Sequence, residues 1–493
     1  MDDDLSRQRS LALIRLAAGP GAFLLAYLFG SAELGRETAI VLATFVWCVV
    51  WWISQPIPWA ITALLPMVVF PVLGVMGATE TFALYGQNIL FWVLGMAMFA
   101  RAMAKHGLAK RFALRILCVR GVATTNYRLT FVFMLATALV SMFVSDAAAV
   151  AIMLPIGVSI VVFLGQAESQ SGDASSNPLA SFLALGALCA AEAGGLATIA
   201  GLPHNALAVS INASLSGRTI GWFEWMMVGV PLLLIVLVSY YVILRAFFPI
   251  ERSALEGGLE IIERERAALG RPTRGELNVV IVFVLMAVLF TLPPLLGFLI
   301  GADHPLSLRL SAAVPIWVVP PLVALLLFLL PVDLRKGEGT LTLKDFSEHA
   351  PWNVMLLCTG AVAMTNALAQ LGFMDIVASE IGELGVGVAM LPFLTALVTG
   401  LSTNIVSGVA ATSILCSLLI PVAQDVGFNT ASMAMLIPNN ALGIMFPWAG
   451  AAAATAFATG YLDLKQMMKV GAVATLVLAL LTASVHMLFA PLL

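Results

Sequence analysis

Long, nearly uncharged apolar runs fill most of this sequence and constrain its fold more than any other feature. Only 10% of the 493 residues are charged and 61% are hydrophobic, whereas soluble domains carry about 25% charged residues. A helix needs roughly 20 apolar residues to cross a bilayer, and the runs lack the strict alternation of barrel strands. The sequence therefore predicts an all-α polytopic membrane protein.

Charge, cysteines and motifs exclude several kinds of protein. The net charge of −3 provides no basic field for a nucleic-acid partner. The five cysteines lie in or beside apolar runs, without the close spacing of a metal site or a disulfide frame. The acidic N-terminus does not resemble a cleavable signal peptide. Because no nucleophile, zinc-protease or nucleotide-loop motif occurs, we predict neither an enzyme nor an organic cofactor.

The distribution of Lys and Arg predicts the orientation in the membrane. The loops 101–128 and 245–274 are rich in these residues, which places both in the cytoplasm. Three apolar runs separate the two loops, at 128–165, 178–213 and 223–248. Because an odd number of crossings cannot begin and end on one side, one run must enter and leave by the same face. We assign this re-entrant hairpin to 128–165, which Ser145 and Asp146 interrupt.

The two halves of the chain resemble each other in sequence. Three pairs of segments match in the same order: 95–107 with 360–372, 144–149 with 406–411, and 226–229 with 467–471. If 386–424 is also a hairpin, the two copies face opposite ways. The total is then about eleven transmembrane helices plus two re-entrant hairpins, with the N-terminus cytoplasmic and the C-terminus outside. Inverted repeats with broken helices are typical of secondary transporters.

Ser145 and Asp146 are the first candidate site residues. Hairpin tips expose free amides and helix N-termini, which favour anions, and unwound carbonyl groups favour Na⁺. A carboxylate inside a membrane segment is functional by default, so we predict that Asp146 belongs to a site. The structural alternative is a serine bonded to its own helix beside an aspartate at a loop end.

A second interruption spans residues 194–205. Its glycines and Pro203 predict an unwound segment, and Asn205 offers both a hydrogen-bond donor and an acceptor. A simple kink is the alternative. His204 has the alternative of an ordinary hydrogen-bonded histidine, and Glu192 that of a carboxylate paired with a neighbouring helix.

The second half has a similar tip at Ser407 and Gly408. Ser141 and Thr403 each lie one helical turn before a tip, where their hydroxyls could join carbonyl groups around Na⁺. Hydroxyls in membrane helices commonly bond their own backbone, so both interpretations stay open.

Four further blocks of sequence carry a family resemblance, at 56–66, 108–111, 153–155 and 351–353. Together with the tips they resemble the divalent-anion:sodium symporter family, which includes dicarboxylate, citrate and sulfate carriers. The resemblance covers nearly the whole chain, from Gln55 to Met468. It implies a homodimer in which a transport domain moves like an elevator against a scaffold domain.

The resemblance also implies a division of the chain. We expect N-terminal scaffold helices at 1–87, a first repeat at 88–248, a cytoplasmic loop at 249–276, scaffold helices of the second half at 277–352, and a second repeat at 353–493. The hairpins are expected at 128–165 and 386–424.

The family binds substrate and Na⁺ at two Ser-Asn-Thr tips. Here the tip 145–147 reads Ser-Asp-Ala and the tip 407–409 reads Ser-Gly-Val, so only the serines are retained. The family's Pro-Pro-Asn element appears as Pro-His-Asn at 203–205, and Ala-Ala-Ala at 451–453 takes its place in the second half. By resemblance, the substrate-binding residues are Ser145, Asp146, Ala147, Pro203, Asn205, Ser407, Gly408 and Val409.

The resemblance implies two sodium sites as well. The first would use Ser141, Ser145, Asp146 and the backbone around Gly195 and Ala197. The second would use Thr403, the carbonyl groups of Val406 and Gly408, and the backbone near Ala449.

We therefore predict a secondary active transporter of small anions, dicarboxylate or sulfate-like, coupled to Na⁺ in the plasma membrane, which is the inner membrane in a bacterium. Two like charges about 4 Å apart repel by on the order of 4 kcal/mol at an effective dielectric constant of roughly 20. Asp146 beside an anion is therefore either a charged Na⁺ ligand or a protonatable residue that adds H⁺ coupling. The alternative function is a cation/proton antiporter with Asp146 as the exchange site. A channel is disfavoured because no rings of pore-lining charge occur.

Overall fold

The computed structural model describes residues 2–31, 34–119, 125–163, 177–250, 258–301, 303–333, 335, 337–373, 376 and 387–493. Within these residues, nine helices are long and apolar enough to cross a membrane. The only sheet in this part of the chain is a two-stranded antiparallel hairpin of β1 (Pro331–Asp333) and β2 (Glu338–Gly339). The all-α polytopic prediction is confirmed.

The helices of the first half are α1 (Asp2–Gly30), α2 (Arg36–Ser54), α3 (Trp59–Thr62), α4 (Leu65–Val72), α5 (Ala78–Ala83), α6 (Asn88–Lys105), α7 (Leu108–Leu117), α8 (Asn126–Ser141), α9 (Asp146–Phe163), α10 (Pro178–Gly195), α11 (Pro203–Ser216) and α12 (Trp222–Phe247).

The helices of the second half are α13 (Gly258–Ala268), α14 (Arg274–Ile300), α15 (Pro305–Ala313), α16 (Val319–Leu329), α17 (Leu343–His349), α18 (Trp352–Gln370), α19 (Leu391–Ser402), α20 (Gly408–Asp425), α21 (Thr430–Asn440), α22 (Ala451–Phe457) and α23 (Leu464–Phe489), with a final 3₁₀ turn (Ala490–Leu492).

Four of the long apolar runs are broken into two helices each. The breaks lie at 142–145 between α8 and α9, at 196–202 between α10 and α11, at 403–407 between α19 and α20, and at 441–450 between α21 and α22. The first three coincide with the interruptions noted in the sequence. The fourth, between Asn440 and Ala451, contains Ala449, whose backbone the family resemblance assigns to the second sodium site.

Local sequence explains where these helices begin. Pro203 is the first residue of α11, where its missing N–H costs no helical hydrogen bond. Ser407 is the N-cap of α20 and accepts a hydrogen bond from the amide of Ala410. Asn429 caps α21 in the same way, through the amide of Ser432.

The two halves pack on each other reciprocally. In the first half α10 lies against both α8 and α9, and in the second half α21 lies against both α19 and α20. Each second hairpin helix then crosses to the other half, because α9 packs against α22 and α20 packs against α11. This pairing is what two copies related by a pseudo-two-fold axis would produce.

Helices α2, α3, α6, α14, α16 and α18 form a separate layer. α6 packs against α16, α16 against α14, and α18 against α2 and α3. This layer meets the broken helices where α11 contacts α6 and α18, and where α20 contacts α18. The two hairpin tips face this boundary.

Four of the five cysteines lie in the interior, as predicted, whereas Cys118 at the end of α7 is half-buried. All five are free thiols, and Cys48, Cys189, Cys358 and Cys416 are buried.

Candidate functional site

The first tip is tied to the first broken helix by two hydrogen bonds. Ser141 Oγ donates to the carbonyl of Ala191 at 2.7 Å, and Thr198 Oγ1 donates to the carbonyl of Met142 at 2.5 Å. Ser145 Oγ accepts from the amide of Ala148 at 3.4 Å and so begins α9. The tip is thus held by both α10 and the unwound segment beyond it.

Asn205 holds that unwound segment, 196–202, in place. Its Nδ2 donates to the carbonyls of Gly195 at 2.8 Å and Thr198 at 2.9 Å, and Trp225 Nε1 donates to the carbonyl of Leu196 at 2.9 Å. The Oδ1 atom of Asn205 is buried and has no hydrogen-bond partner among the described residues. A buried acceptor without a partner is costly unless a ligand or ion satisfies it.

The second tip is held in a related way. Thr403 Oγ1 lies 3.2 Å from the carbonyl of Gly400 and 3.5 Å from that of Leu442. Asn404 Oδ1 accepts from the amide of Met445 at 2.8 Å. Ser141 and Thr403, which the sequence placed at equivalent positions, therefore both reach a carbonyl of the neighbouring broken helix, but Thr403 lies closer to the carbonyl of Gly400 in its own helix.

Two residues of the first half, His204 and Glu192, lie against the helix breaks of the second half. A Cβ added to Gly408 would lie 3.2 Å from His204 Cε1 and 2.8 Å from the carbonyl oxygen of Ala441. The imidazole of His204 therefore occupies the space that a side chain at position 408 would need. The carboxyl group of Glu192, which is 5% exposed, faces the backbone amide of Gly443. Both contacts join the two repeats.

Two adjoining cavities open at the tips. The first, of about 450 Å³, is lined by Ser145, Asp146 and Pro203 on one wall and by α6 on the opposite wall. The second, of about 520 Å³, is lined by Ser407 and Val409 together with the segment 55–60. The side chain of Val354 on α18 lines both.

The structure thus brings five of the eight predicted substrate residues to these cavities. The other three line neither cavity in the described part of the chain: Ala147, Asn205 and Gly408. Asn205 instead supports the unwound backbone, and Gly408 lies against His204.

The oxygen donors at the first tip suit an alkali cation. Among the described residues no group of three or more His, Cys, Asp or Glu could hold a metal ion. The donors available are the Asp146 carboxylate, the hydroxyls of Ser141 and Ser145, and carbonyl groups of the unwound segment that includes Ala197. Hard oxygen ligands of this kind favour Na⁺ over transition metals.

The second tip offers only neutral donors. These are the Thr403 hydroxyl and backbone carbonyl groups at Val406 and Gly408. A Cβ added to Gly443 would lie 2.9 Å from the Cβ of Ala449, so the unwound segment 441–450 folds back closely on itself. Its carbonyl groups are therefore concentrated in a small volume beside the tip.

The first cavity has a basic wall that no sequence pattern predicted. Arg101 on α6 and His349 at the end of α17 both line it. Arg101 bonds Asp345, which also accepts from Lys105 and Thr342. Burial raises the pKa of the Asp345 carboxyl, but the hydrogen bonds from Lys105, Thr342 and Arg101 outweigh burial and hold the pKa well below its ordinary value. No local sequence motif predicts this cluster, because its members come from distant parts of the chain.

A polar network at the end of α21 was also missed. Asn439 Nδ2 lies 3.1 Å from His486 Nε2, and Asn440 Oδ1 accepts from Thr482 Oγ1 at 2.8 Å. The signal was available, since adjacent asparagines after Pro438 interrupt an apolar run. This network anchors α21 to α23 just before the fourth break.

The fold and the site together define a class of protein: a polytopic α-helical membrane protein of the transporter type, built from two repeats with broken helices. The YdaH transporter of Alcanivorax borkumensis has a similar fold, with a TM-score of 0.56 at 15% identity over 84% of this chain and 89% of that chain. MtrF of Neisseria gonorrhoeae, which belongs to a class of antimetabolite efflux pumps, matches with a TM-score of 0.54 at 13% identity over 84% of each chain.

The family follows from the sequence comparison. The profile described as the sodium:sulfate symporter transmembrane region matches residues 21–493, and the chain belongs to this family. The sodium-dependent dicarboxylate transporter SdcS of Staphylococcus saprophyticus is 29% identical over 469 residues, which cover 93% of this chain and 88% of the relative. SdcS of Staphylococcus aureus strain COL is 28% identical over 466 residues, covering 93% and 87%. The predicted resemblance is confirmed, and the protein is a transporter rather than an enzyme.

Proposed function

We propose that this protein carries a small dicarboxylate into the cell together with Na⁺. The observation that carries the proposal is the placement of the two tips. Each begins a helix with a serine, each opens into a cavity, and the two cavities adjoin at Val354. Both tips therefore present helix N-termini, which favour carboxylate groups, to one region. The named dicarboxylate transporters among the relatives support the choice of substrate over sulfate.

The coupling to Na⁺ follows from Asp146. An ionised carboxylate repels a dianion in the same cavity, and a cation bound between them removes that repulsion. Asp146 with the neighbouring hydroxyl and carbonyl groups forms the first Na⁺ site, and Thr403 with the backbone of 406–408 and Ala449 forms the second. Substrate binding then depends on Na⁺ because the empty first site leaves a negative charge beside the substrate.

The movement is of the elevator type. The moving unit consists of α8–α12 and α19–α23, whose hairpins interlock, and the stationary unit consists of α1–α6 and α14–α18. The stationary unit holds a homodimer in the plasma membrane, with the N-terminus in the cytoplasm and the C-terminus outside. The boundary between the units runs past both cavities, so sliding of the moving unit carries the tips across the membrane.

Uptake into proteoliposomes tests the function. Radiolabelled succinate is added outside vesicles containing the purified protein, with an inward gradient of either NaCl or KCl. We expect saturable uptake that requires Na⁺. Uptake that proceeds equally well with K⁺ would overturn the Na⁺ coupling. The antiporter alternative is examined in the same vesicles without succinate, where Na⁺-driven H⁺ movement would favour it.

A further inference from the structure

Arg101, Lys105 and Asp345 form a charge cluster at the wall of the first cavity. Arg101 Nη2 lies 2.9 Å from Asp345 Oδ1, and Lys105 Nζ lies 2.7 Å from Asp345 Oδ2. The amide and hydroxyl groups of Thr342 also donate to Oδ2, at 2.9 and 2.8 Å. Asp345 is therefore held by four groups, of which Arg101 is one.

The three side chains of this cluster carry a net charge of +1. Two cationic side chains share a single carboxylate, and that carboxylate is the covered member. The side chains of Arg101 and Lys105 are 29% and 28% exposed, whereas that of Asp345 is 6% exposed. The surplus charge therefore faces outward, and Arg101 presents it to the cavity that it lines.

The other lining residues of the cavity strengthen the attraction between this charge and an anion. The wall on α6 is otherwise apolar, with Trp92, Val93 and Met96 as its larger side chains. Such a wall lowers the local dielectric, so that a fixed charge acts on an anion more strongly than in water. Among the described lining residues, Arg101 provides the only guanidinium or ammonium group and Asp146, across the cavity, the only carboxylate.

We propose that Arg101 is a specificity-determining residue that binds one carboxylate group of the substrate, while the other carboxylate lies at the Ser145 tip. The inference rests on the proposed dicarboxylate transport and adds a contact from the stationary unit. An anion with two separated charges satisfies both walls of the cavity. A monocarboxylate satisfies only one wall, so Arg101 selects for a second negative charge.

A purely structural role for the cluster makes a different prediction. If Arg101 and Asp345 only join α6 to α17, removing either partner destabilises the protein and weakens succinate binding to the same degree. If Arg101 binds the substrate, removing Arg101 weakens succinate binding and removing Asp345 does not. Arg101→Gln removes the surplus charge, whereas Asp345→Asn increases it and frees the guanidinium.

The test is succinate binding to the purified full-length protein in NaCl, measured by isothermal titration calorimetry. We expect Arg101→Gln to weaken succinate binding by about tenfold or more, the scale of one charge-assisted hydrogen bond. Asp345→Asn should bind succinate at least as tightly as the wild type. The matched control is Lys110→Gln, which breaks the exposed 2.8 Å pair with Glu265 away from the cavity and should leave binding unchanged.

Further variants separate the remaining explanations. The double variant Arg101→Gln/Asp345→Asn should stay weak, because no stranded carboxylate is left to explain the loss. Arg101→Lys keeps the charge and should retain most of the affinity, which also covers the case that Arg101→Gln does not fold. Preference for succinate over propionate should fall with Arg101→Gln. Equal losses in both single variants, or recovery in the double variant, would overturn the inference.

The same titration separates a failure of this inference from a failure of the proposed dicarboxylate transport. If the wild type binds succinate in NaCl and Arg101→Gln binds it equally well, the inference fails and the proposed transport stands. If the wild type does not bind succinate, both fail.

Discussion

The hydroxyl oxygens of Thr365 on α18 and Ser417 on α20 lie 2.5 Å apart. This hydrogen bond crosses the boundary between the proposed stationary and moving units, and both residues are buried. It is a direct polar link between the two units, so any sliding of one past the other must break it.

Cross-linking this pair should stop transport. In a cysteine-free background, Thr365→Cys/Ser417→Cys should form a disulfide or a Hg²⁺ bridge, since the two oxygens are already in contact. We expect Na⁺-driven succinate uptake to fall to background after oxidation and to return on reduction. The measurement is uptake into proteoliposomes before and after each treatment.

A second pair provides the control for this cross-link. Asn278 Nδ2 donates to Thr340 Oγ1 at 2.9 Å within the stationary unit. Asn278→Cys/Thr340→Cys should cross-link without loss of uptake. Undiminished uptake by the fully cross-linked Thr365/Ser417 pair would rule out an elevator movement at this boundary.

Replacing Asp146 should change the ion dependence more than the fold. Asp146→Asn keeps the shape of the side chain but removes its charge from the first tip. We expect the Na⁺ concentration for half-maximal uptake to rise by about tenfold, the effect of one charge-assisted contact. Asp425→Asn, which neutralises an exposed carboxylate at the far end of α20, is the control. Unchanged Na⁺ and pH dependence in Asp146→Asn would refute both proposed roles of Asp146.

Gly194 should tolerate no side chain. A Cβ at this position would lie 2.2 Å from the carbonyl oxygen of Ala138, so α8 and α10 would have to separate. We expect Gly194→Ala to destabilise the protein by about 1–3 kcal/mol through overpacking, seen as a lower melting temperature in detergent. Gly21→Ala, with nothing within 4 Å of the added atom, should not lower the melting temperature, because alanine is the better helix former. Equal melting temperatures for both variants would contradict the close approach of the two helices.

The Asp345 cluster should make stability depend on acidity. The pKa of Asp345 is lowered in the folded protein, because the hydrogen bonds from Lys105, Thr342 and Arg101 outweigh the opposing effect of burial. Its contribution is therefore complete above the ordinary carboxyl pKa and is lost as the pH falls through the lowered value. Comparing melting temperatures of the wild type and Asp345→Asn from about pH 6 to pH 3 checks this. The wild-type advantage should shrink toward the acidic end, and an advantage that grows there would contradict the assignment.

Sequence reasoning predicted the breaks in the helices better than the contacts between them. The interruptions at Ser145, at 194–205 and at Ser407 were visible because glycine, proline and polar residues stand out in apolar runs. The partners of Gly408 and Asp345 were not visible, because His204 and Arg101 come from distant segments. Asn205 was predicted to bind substrate, and that stays a prediction: its Nδ2 supports the unwound backbone, while its Oδ1 has no partner among the described residues. Local chemistry marks where a membrane helix ends, but tertiary packing decides what each polar atom meets.

The central claim is that a dicarboxylate and Na⁺ bind together in the region of the hairpin tips, where Arg101 contacts one of the two carboxylate groups. The most direct test is the dissociation constant of succinate, measured by calorimetry on the purified protein at a series of NaCl concentrations at constant ionic strength. Because linkage is reciprocal, we expect the dissociation constant to fall steeply as Na⁺ rises, and the effect to be reduced in Asp146→Asn. A dissociation constant that stays the same from Na⁺-free buffer to saturating Na⁺ would contradict the account.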